Sequence, residues 1–227
     1  PLASNRSKEK LTNLMITGVT ALVRATAHDM ETKGITYPAG DLGELLASAD
    51  ITHISNEVPF AQNCPYPDPW QEGVRFCSDP RYMELLELIG TDVVELTGDH
   101  FADWGNDAMW LTLEMYAEAG WPVYGGGENA EAAKQAILME HNGNKIAFIG
   151  CNGKGPPFSQ ASEYNPGSVT CDYMFIENEI ARLNAEGYLV IVTYQHHEYY
   201  TYSAPEVMAK EFDRMAEAGA VVVSGSQ

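Results

Sequence analysis

Short apolar runs alternate with longer helix-period stretches through most of the chain. Runs at 14–19, 51–55, 92–96, 122–124, 136–141, 145–150, 189–194 and 220–224 are rich in Val, Ile and Leu. Several are nearly continuous rather than alternating, as expected of strands buried on both faces. Between them lie stretches with helix punctuation. DPRYMELLELIG opens on Asp79 as N-cap, places Pro80 at the first helical position and closes on Gly90. NDAMWLTLEMYAEAG runs from a cap at Asn106 or Asp107 to Gly120, MFIENEIARLNAEG ends at Gly187, and APEVMAKEFDRMAEAG ends at Gly219. Helices that stop on glycine shortly before a strand are the pattern of αβ loops. Runs 136–141 and 145–150, joined by Asn-Gly-Asn, read as an antiparallel hairpin, because Asn-Gly accepts positive φ. The pattern predicts an α/β fold with a mostly parallel sheet and an inserted hairpin. Residues 1–10, PLASNRSKEK, read as a tail or linker ahead of one domain at 11–227.

In such sheets ligands bind beyond the carboxyl ends of the strands, and four strand exits here are polar. Asn56 and Glu57 follow the run at 51–55. LTGDHFADWG places Asp99, His100 and Asp103 after the run at 92–96. Cys151-Asn152-Gly153-Lys154-Gly155 follows the run at 145–150, and QHHEYY, residues 195–200, follows the run at 189–194. Carboxylates, amides and imidazoles gathered at one rim suit a divalent cation of the Mn, Zn or Fe type rather than a thiolate centre. A pair of such ions serves phosphoryl or amide hydrolysis. The candidate assignments are His100 as acid/base with Asp103 orienting it, and Glu57, Asp99, His196, His197 and Glu198 as metal ligands. Arg24, Asn56, Lys154 and Tyr199 are candidates for binding substrate. Each has a plainer alternative. His196 and His197 are adjacent, so in a strand only one can reach a shared centre. Asp103 can equally cap a helix or form a turn, Glu57 can be exposed, and Lys154 can sit in a mobile surface loop. Tyr194, Tyr199, Tyr200 and Tyr202 either line a groove for a polymer or sugar or pack at a strand end. GGGEN, residues 125–129, lacks the Lys-Ser/Thr of a phosphate loop and reads as a turn before Asn129 as N-cap. There is no GxSxG nucleophile elbow.

Composition narrows the choice of partner. The 227 residues, 45% hydrophobic, suffice for one domain with a substantial core. Lys and Arg number 13 against 32 Asp and Glu, a net charge of −19. That field disfavours nucleic acid and anionic membrane surfaces and is compatible with cation binding. No run approaches the ~18 apolar residues of a membrane helix. The chain opens on Pro rather than Met, which reads as a mature or trimmed form. The four cysteines form no CxxC pair, which counts against structural zinc. Their even number fits two disulfides outside the cytoplasm. Of the three connectivities, Cys64–Cys77 with Cys151–Cys171 is favoured, since each pair brackets a loop rich in Pro and Gly. Buried free thiols are the alternative.

The longer phrases carry a family resemblance. FCSDPRYMELLELIGTDVVELTGDHFADWG resembles the bacterial capsule synthesis protein CapA family, also called poly-γ-glutamate synthesis proteins, which has a phrase close to GFDVVSLANNHALDYG after a helix. Gly125 to Ala132 is similar to that family's GAGxNxxEA, Ile146 to Cys151 to IAFLGY, Val190 to Tyr199 to VIVxxHWGxEY, and Ala218 to Gly225 to AGADLVIGHHPH. The phrases keep their order over almost the whole chain. The resemblance implies a calcineurin-like metallophosphoesterase fold, a sandwich of two sheets flanked by helices. It also implies an extracytoplasmic, cell-envelope location and a role in the synthesis, export or anchoring of an anionic polymer, alongside membrane-anchored capsule machinery. A metal-dependent hydrolase of a phosphoester or amide is the alternative. The chain departs from the pattern where metal chemistry would lie. The family's GDxxxxR reads here as Gly18-Val19 with Arg24 retained, and Asp99 replaces the Asn before His. Gln195 falls on the His of HWG in an ungapped reading, with His196 or His197 reaching that place after a shift. Ser226 and Gln227 stand where the family has histidines. These departures imply a degenerate, single-ion site rather than a two-metal centre.

Overall fold

The computed structural model describes residues 7–226, and of Ser226 only the backbone. Residues 1–6 of the predicted tail and Gln227 lie outside the described residues. The strands are β1 (Leu14–Val19), β2 (Ile51–Ser55), β3 (Val93–Glu95), β4 (Val123–Tyr124), β5 (Gly126–Gly127), β6 (Ile137–His141), β7 (Asn144–Asn152), β8 (Gly167–Ser168), β9 (Leu189–Gln195) and β10 (Val222–Ser226). The α-helices are α1 (Arg24–Lys33), α2 (Gly43–Ala47), α3 (Met83–Leu88), α4 (Asn106–Ala119), α5 (Ala130–Ala133), α6 (Tyr173–Ala185) and α7 (Glu206–Ala218).

The predicted single sheet is in fact two. The first, in order β1-β2-β3-β4, is parallel throughout. In the second, β10-β9-β7-β6, only the β6–β7 hairpin is antiparallel. This is the two-sheet α/β sandwich that the resemblance implies, with helices on both outer faces. Period-2 alternation builds its layers. Ile54 and Val94 face α1, α3 and α4, packing with Met30, Leu86, Met109 and Tyr116. Ile51 and Val93 face inward against Ile146, Phe148 and Ile191 of the second sheet. Val190, Val192 and Tyr194 point outward to Ile180, Leu183 and Met215 of α6 and α7. A strand buried on both faces has no polar side to show, so its sequence is a continuous apolar run.

The predicted stops hold: Gly90, Gly120, Gly187 and Gly219 all take positive φ just past a helix. Asp79 accepts from the Arg81 amide, although a 3-10 turn at Pro80–Tyr82 precedes α3. Asn129 caps α5, accepting from the amides of Glu131 and Ala132. α1, α2 and the β5–β8 pair carry no sequence signal. In α1 only Ala27 and Met30 are buried, so no apolar stripe marks it. The pairing of β5 with β8 rests on glycine and serine backbone alone. Both favoured disulfides are formed, Cys64–Cys77 and Cys151–Cys171. At the end of the predicted tail, the Lys10 carbonyl accepts from Asn144 Nδ2 of the hairpin at 2.8 Å. Among the described residues no helix is long and apolar enough to cross a membrane.

Candidate functional site

Both sheets send their parallel strands toward one rim, and the polar exits meet there. The loop after β2 carries Glu57, and the loop after β3 carries Asp99 and His100. Gly98 permits their approach. A Cβ at Gly98 would lie 2.7 Å from the Glu57 Cα, closer than such atoms come. Glu57 and Asp99 are each only 8% exposed, and with half-buried His100 they offer ligand atoms all within 4.8 Å of one another.

Two further strand ends complete the group. Gln195, the last residue of β9, shares the inward face of Ile191 and Thr193. Its Nε2 donates to Glu57 Oε1 at 2.8 Å and to Asp99 Oδ1 at 3.0 Å. At the end of β7, Asn152 Oδ1 accepts from the amides of Lys154 and Gly155. That turn holds Lys154, whose ammonium lies 3.2 Å from Asp99 Oδ2. His100 Nδ1 lies 2.7 Å from Asp103 Oδ2. The same oxygen accepts from the Phe76 amide at 2.8 Å, and the Arg75 Nε donates to the Asp103 carbonyl at 2.6 Å. Asp103 therefore does not cap α4; it lies in a turn, its amide donating to the His100 carbonyl at 3.0 Å, with its carboxylate turned to His100 and the Phe76 amide. Gly105 occupies the cap position of α4.

The electrostatics follow from burial and proximity. Burial pushes the Glu57 carboxyl up to about 7, helped by its hydrogen bond to Asp99 and by that residue's charge. Burial acts on Asp99 in the same sense, but the hydrogen bond from Glu57 and the charges of His100 and Lys154 outweigh it and hold Asp99 below the usual carboxylate range. Burial opposes charge on His100, yet Asp103, Glu57 and Asp99 together raise it. Two carboxylates this close share a proton rather than both ionise.

The remaining predicted site residues lie elsewhere. His196 is corrected first. Strand parity continues past Gln195, so His196 turns outward with Tyr194, toward α7. Its Nε2 lies 2.9 Å from Glu211 Oε2, and its Nδ1 accepts from the His197 amide at 2.9 Å. Neither nitrogen faces the cluster. His197 is exposed, its ring against Tyr199. Glu198 is exposed too and accepts from the Tyr200 hydroxyl. Tyr199 packs edge-on to His197 and at a tilt on His196, and Tyr200 and Tyr202 are exposed. Asn56 is buried beneath the site. Its amide donates to the Val58 carbonyl and to the Tyr116 hydroxyl of α4, fixing the turn that presents Glu57. Arg24, at φ 49°, sits over the Phe76 ring, which in turn contacts the His100 ring. Sequence reasoning left Gln195 and Asn152 out of the site. The signal for Gln195 was its place on the inward face of β9.

As a cation site the donor set is a triad that could hold a metal ion. Glu57 and Asp99 supply carboxylate oxygens, and His100, with Nδ1 held by Asp103, keeps Nε2 for a ligand role. A carboxylate behind a ligating histidine is the usual way such a ring is oriented. The Gln195 amide and the Lys154 ammonium lie against the same carboxylates.

The two-sheet sandwich is a metallophosphoesterase-like fold, with a rim of carboxylates, imidazole and amide at its strand ends. The sequence model of the bacterial capsule synthesis protein PGA_cap family matches residues 13–227, and the chain belongs to that family. It is 23% identical over 230 residues to the capsule biosynthesis protein CapA of Bacillus anthracis, covering 97% of this chain and 55% of that protein. It is also 26% identical over 135 residues to the uncharacterized protein y4sH of Sinorhizobium fredii, covering 58% of this chain and 27% of that one. The chain thus spans about half the length, or less, of the relatives it matches.

Proposed function

We propose that this chain is the polymer-handling domain of a capsule synthesis protein, engaging poly-γ-glutamate outside the cytoplasm during its synthesis, export or anchoring. The observation that carries the reading is the Glu57–Asp99–His100 cluster at the strand ends of a chain that belongs to the capsule family. A net charge of −19 repels an anionic polymer. A single divalent cation of the Mn, Zn or Fe type at the cluster would bridge the protein's carboxylates to those of the polymer. Two disulfides support an oxidising compartment. Membrane-anchored capsule machinery is the expected partner.

Calorimetric titration of Mn²⁺ and Zn²⁺ into the protein and into Asp99→Asn tests the site. One ion per chain is expected, with affinity at least about tenfold weaker in the variant. Polymer retention should fall when EDTA is added. Unchanged retention in EDTA, or no metal uptake, would refute the bridging role.

A second reading rests on the His100–Asp103 pair. An imidazole with a raised pKa, held in one orientation by a carboxylate, can deliver a proton to a leaving group. This is the arrangement of a metal-dependent hydrolase of a phosphoester or amide. Turnover of a chromogenic phosphodiester with Mn²⁺, lost in His100→Ala while the fold persists, would establish it.

A further inference from the structure

A cavity of about 200 Å³ lies between the start of α1 and the loop closed by Cys64–Cys77, outside the cluster just described. Arg24, Arg75, Tyr66, Phe76, Trp104 and Asp79 are among the residues that line it. Its two arginines are unusual for this chain. Arg81, Arg182 and Arg214 each pair with a carboxylate. Arg24 and Arg75 are the arginines without a carboxylate at ion-pair distance among the described residues, in a protein where acidic groups outnumber basic ones 32 to 13. Their polar contacts are to main chain. The Arg24 Nη2 donates to the Gly73 carbonyl at 3.3 Å, and Arg75 Nε donates to the Asp103 carbonyl. Each guanidinium stacks on a ring, Arg24 on Phe76 at 4.6 Å and Arg75 on Trp104 at 4.7 Å. The Arg24 Nε is buried with no hydrogen-bond partner. One turn along α1, His28 Nδ1 is buried and unpartnered too, its ring edge-on to Tyr66 of the cavity wall.

A pair of guanidinium groups with no ion-pair partner among the described residues, oriented by aromatic rings, suits an incoming oxyanion. Asp79, in the same wall, has its oxygens engaged by Arg81 and penalises two negative charges on one group in the cavity more than a single carboxylate. That favours a carboxylate over a phosphate. The cavity shares the Phe76 ring with the candidate site, since Phe76 contacts Arg24 on one hand and His100 on the other, 4.9 Å between ring centres. We propose that this cavity is a carboxylate-binding subsite, where Arg24 and Arg75 grip one acidic side group of a polymer lying across the Glu57–Asp99–His100 cluster. The identity of the polymer rests on the function proposed above, whereas the carboxylate subsite does not.

Calorimetry of the whole chain with a short γ-glutamyl oligomer, its methyl ester, glutarate and inorganic phosphate separates the two claims. The oligomer should bind, with the ester at least about tenfold weaker, and Arg75→Gln should weaken the acid by a similar factor, the usual worth of a charged hydrogen bond. Arg75 is exposed and bonds only a carbonyl, so its variant should keep the wild-type circular dichroism; the ester comparison needs no variant at all. If glutarate binds and is lost in Arg75→Gln while the oligomer does not bind, the subsite stands and the polymer reading falls. If acid and ester bind alike, or Arg75→Gln and the double variant with Arg24→Gln bind the oligomer as wild type does, the subsite is refuted and the polymer reading survives. Phosphate binding tighter than glutarate would reassign the cavity and overturn the carboxylate assignment.

Discussion

Gln195 owes its place to an odd–even rule. Residues 191, 193 and 195 of β9 face the other sheet, so the last of them reaches over the sandwich to Glu57 and Asp99. Its amide satisfies two buried carboxylates at once, and an apolar replacement leaves both without that donor. Gln195→Leu should therefore destabilise the fold by about 2–4 kcal/mol, read from urea unfolding at neutral pH. An unchanged midpoint would show that the carboxylates find other partners. Beneath the cluster, His53 lies wholly between the sheets, with Nε2 2.7 Å from the Tyr124 hydroxyl and 3.5 Å from Glu95 Oε2. Burial lowers it to about 4, against a smaller opposing effect of its backbone hydrogen bond. The folded state thus resists a proton that the unfolded chain takes up near 6.5. Stability attributable to His53 is complete above pH 6.5 and is lost as pH falls toward 4, by about 3 kcal/mol in all. The His53 imidazole resonance should titrate with its midpoint at about pH 4; a midpoint near 6.5 would contradict this.

At the scale of elements, β7 and β9 were readable because burial on both faces leaves few polar residues in them, whereas the two-residue β5 and β8 were not. The helices with an apolar stripe and a terminal glycine were readable too. α1 was not, because its sequence RATAHDMETK buries too little to show a period. The site was readable where it follows directly on a strand, as with Glu57, Asp99, His100 and Lys154. It was misread at β9, where drawing the strand one residue short left the facing of Gln195 and His196 undetermined. Division of the parallel strands into two sheets cannot be seen in periodicity, since a strand at the centre of either arrangement has two apolar faces. The disulfides act at this scale as well. Cys64 and Cys77 are 13 residues apart and close the loop that carries Arg75 and Phe76. Replacing both by Ala should cost about 3 kcal/mol in the chain-entropy account. It should also loosen the Phe76 amide from Asp103, so the His100 resonances should shift with the loss of stability. A stability loss without any change at His100 would mean that the loop is held by its other contacts.

For the molecule as a whole, the charge sets a condition that no local contact can escape. A chain at −19 and a polycarboxylate repel each other at long range, and attraction begins where a local group such as Arg24, Arg75, Lys154 or a bound cation comes within reach. The Debye length is about 10 Å at 0.1 M salt and about 30 Å at 0.01 M. Monovalent salt therefore screens the repulsion between whole molecules before it weakens contacts made at bonding distance. If the proposed function holds, the association rate of the protein with poly-γ-glutamate should rise, not fall, as NaCl increases from about 10 to about 150 mM, a range that spans that change in screening. The dissociation rate should increase more modestly, through partial screening of the bound pairs. A protein that captured the polymer through a broad basic face would behave oppositely, with association slowing steeply over the same range. Stopped-flow measurement at the two salt concentrations, with Mn²⁺ present throughout, distinguishes these cases. Slower association at the higher salt would mean that a positive surface beyond the two arginines and Lys154 steers the encounter, and that the acidic balance of the chain does not govern its approach to the polymer.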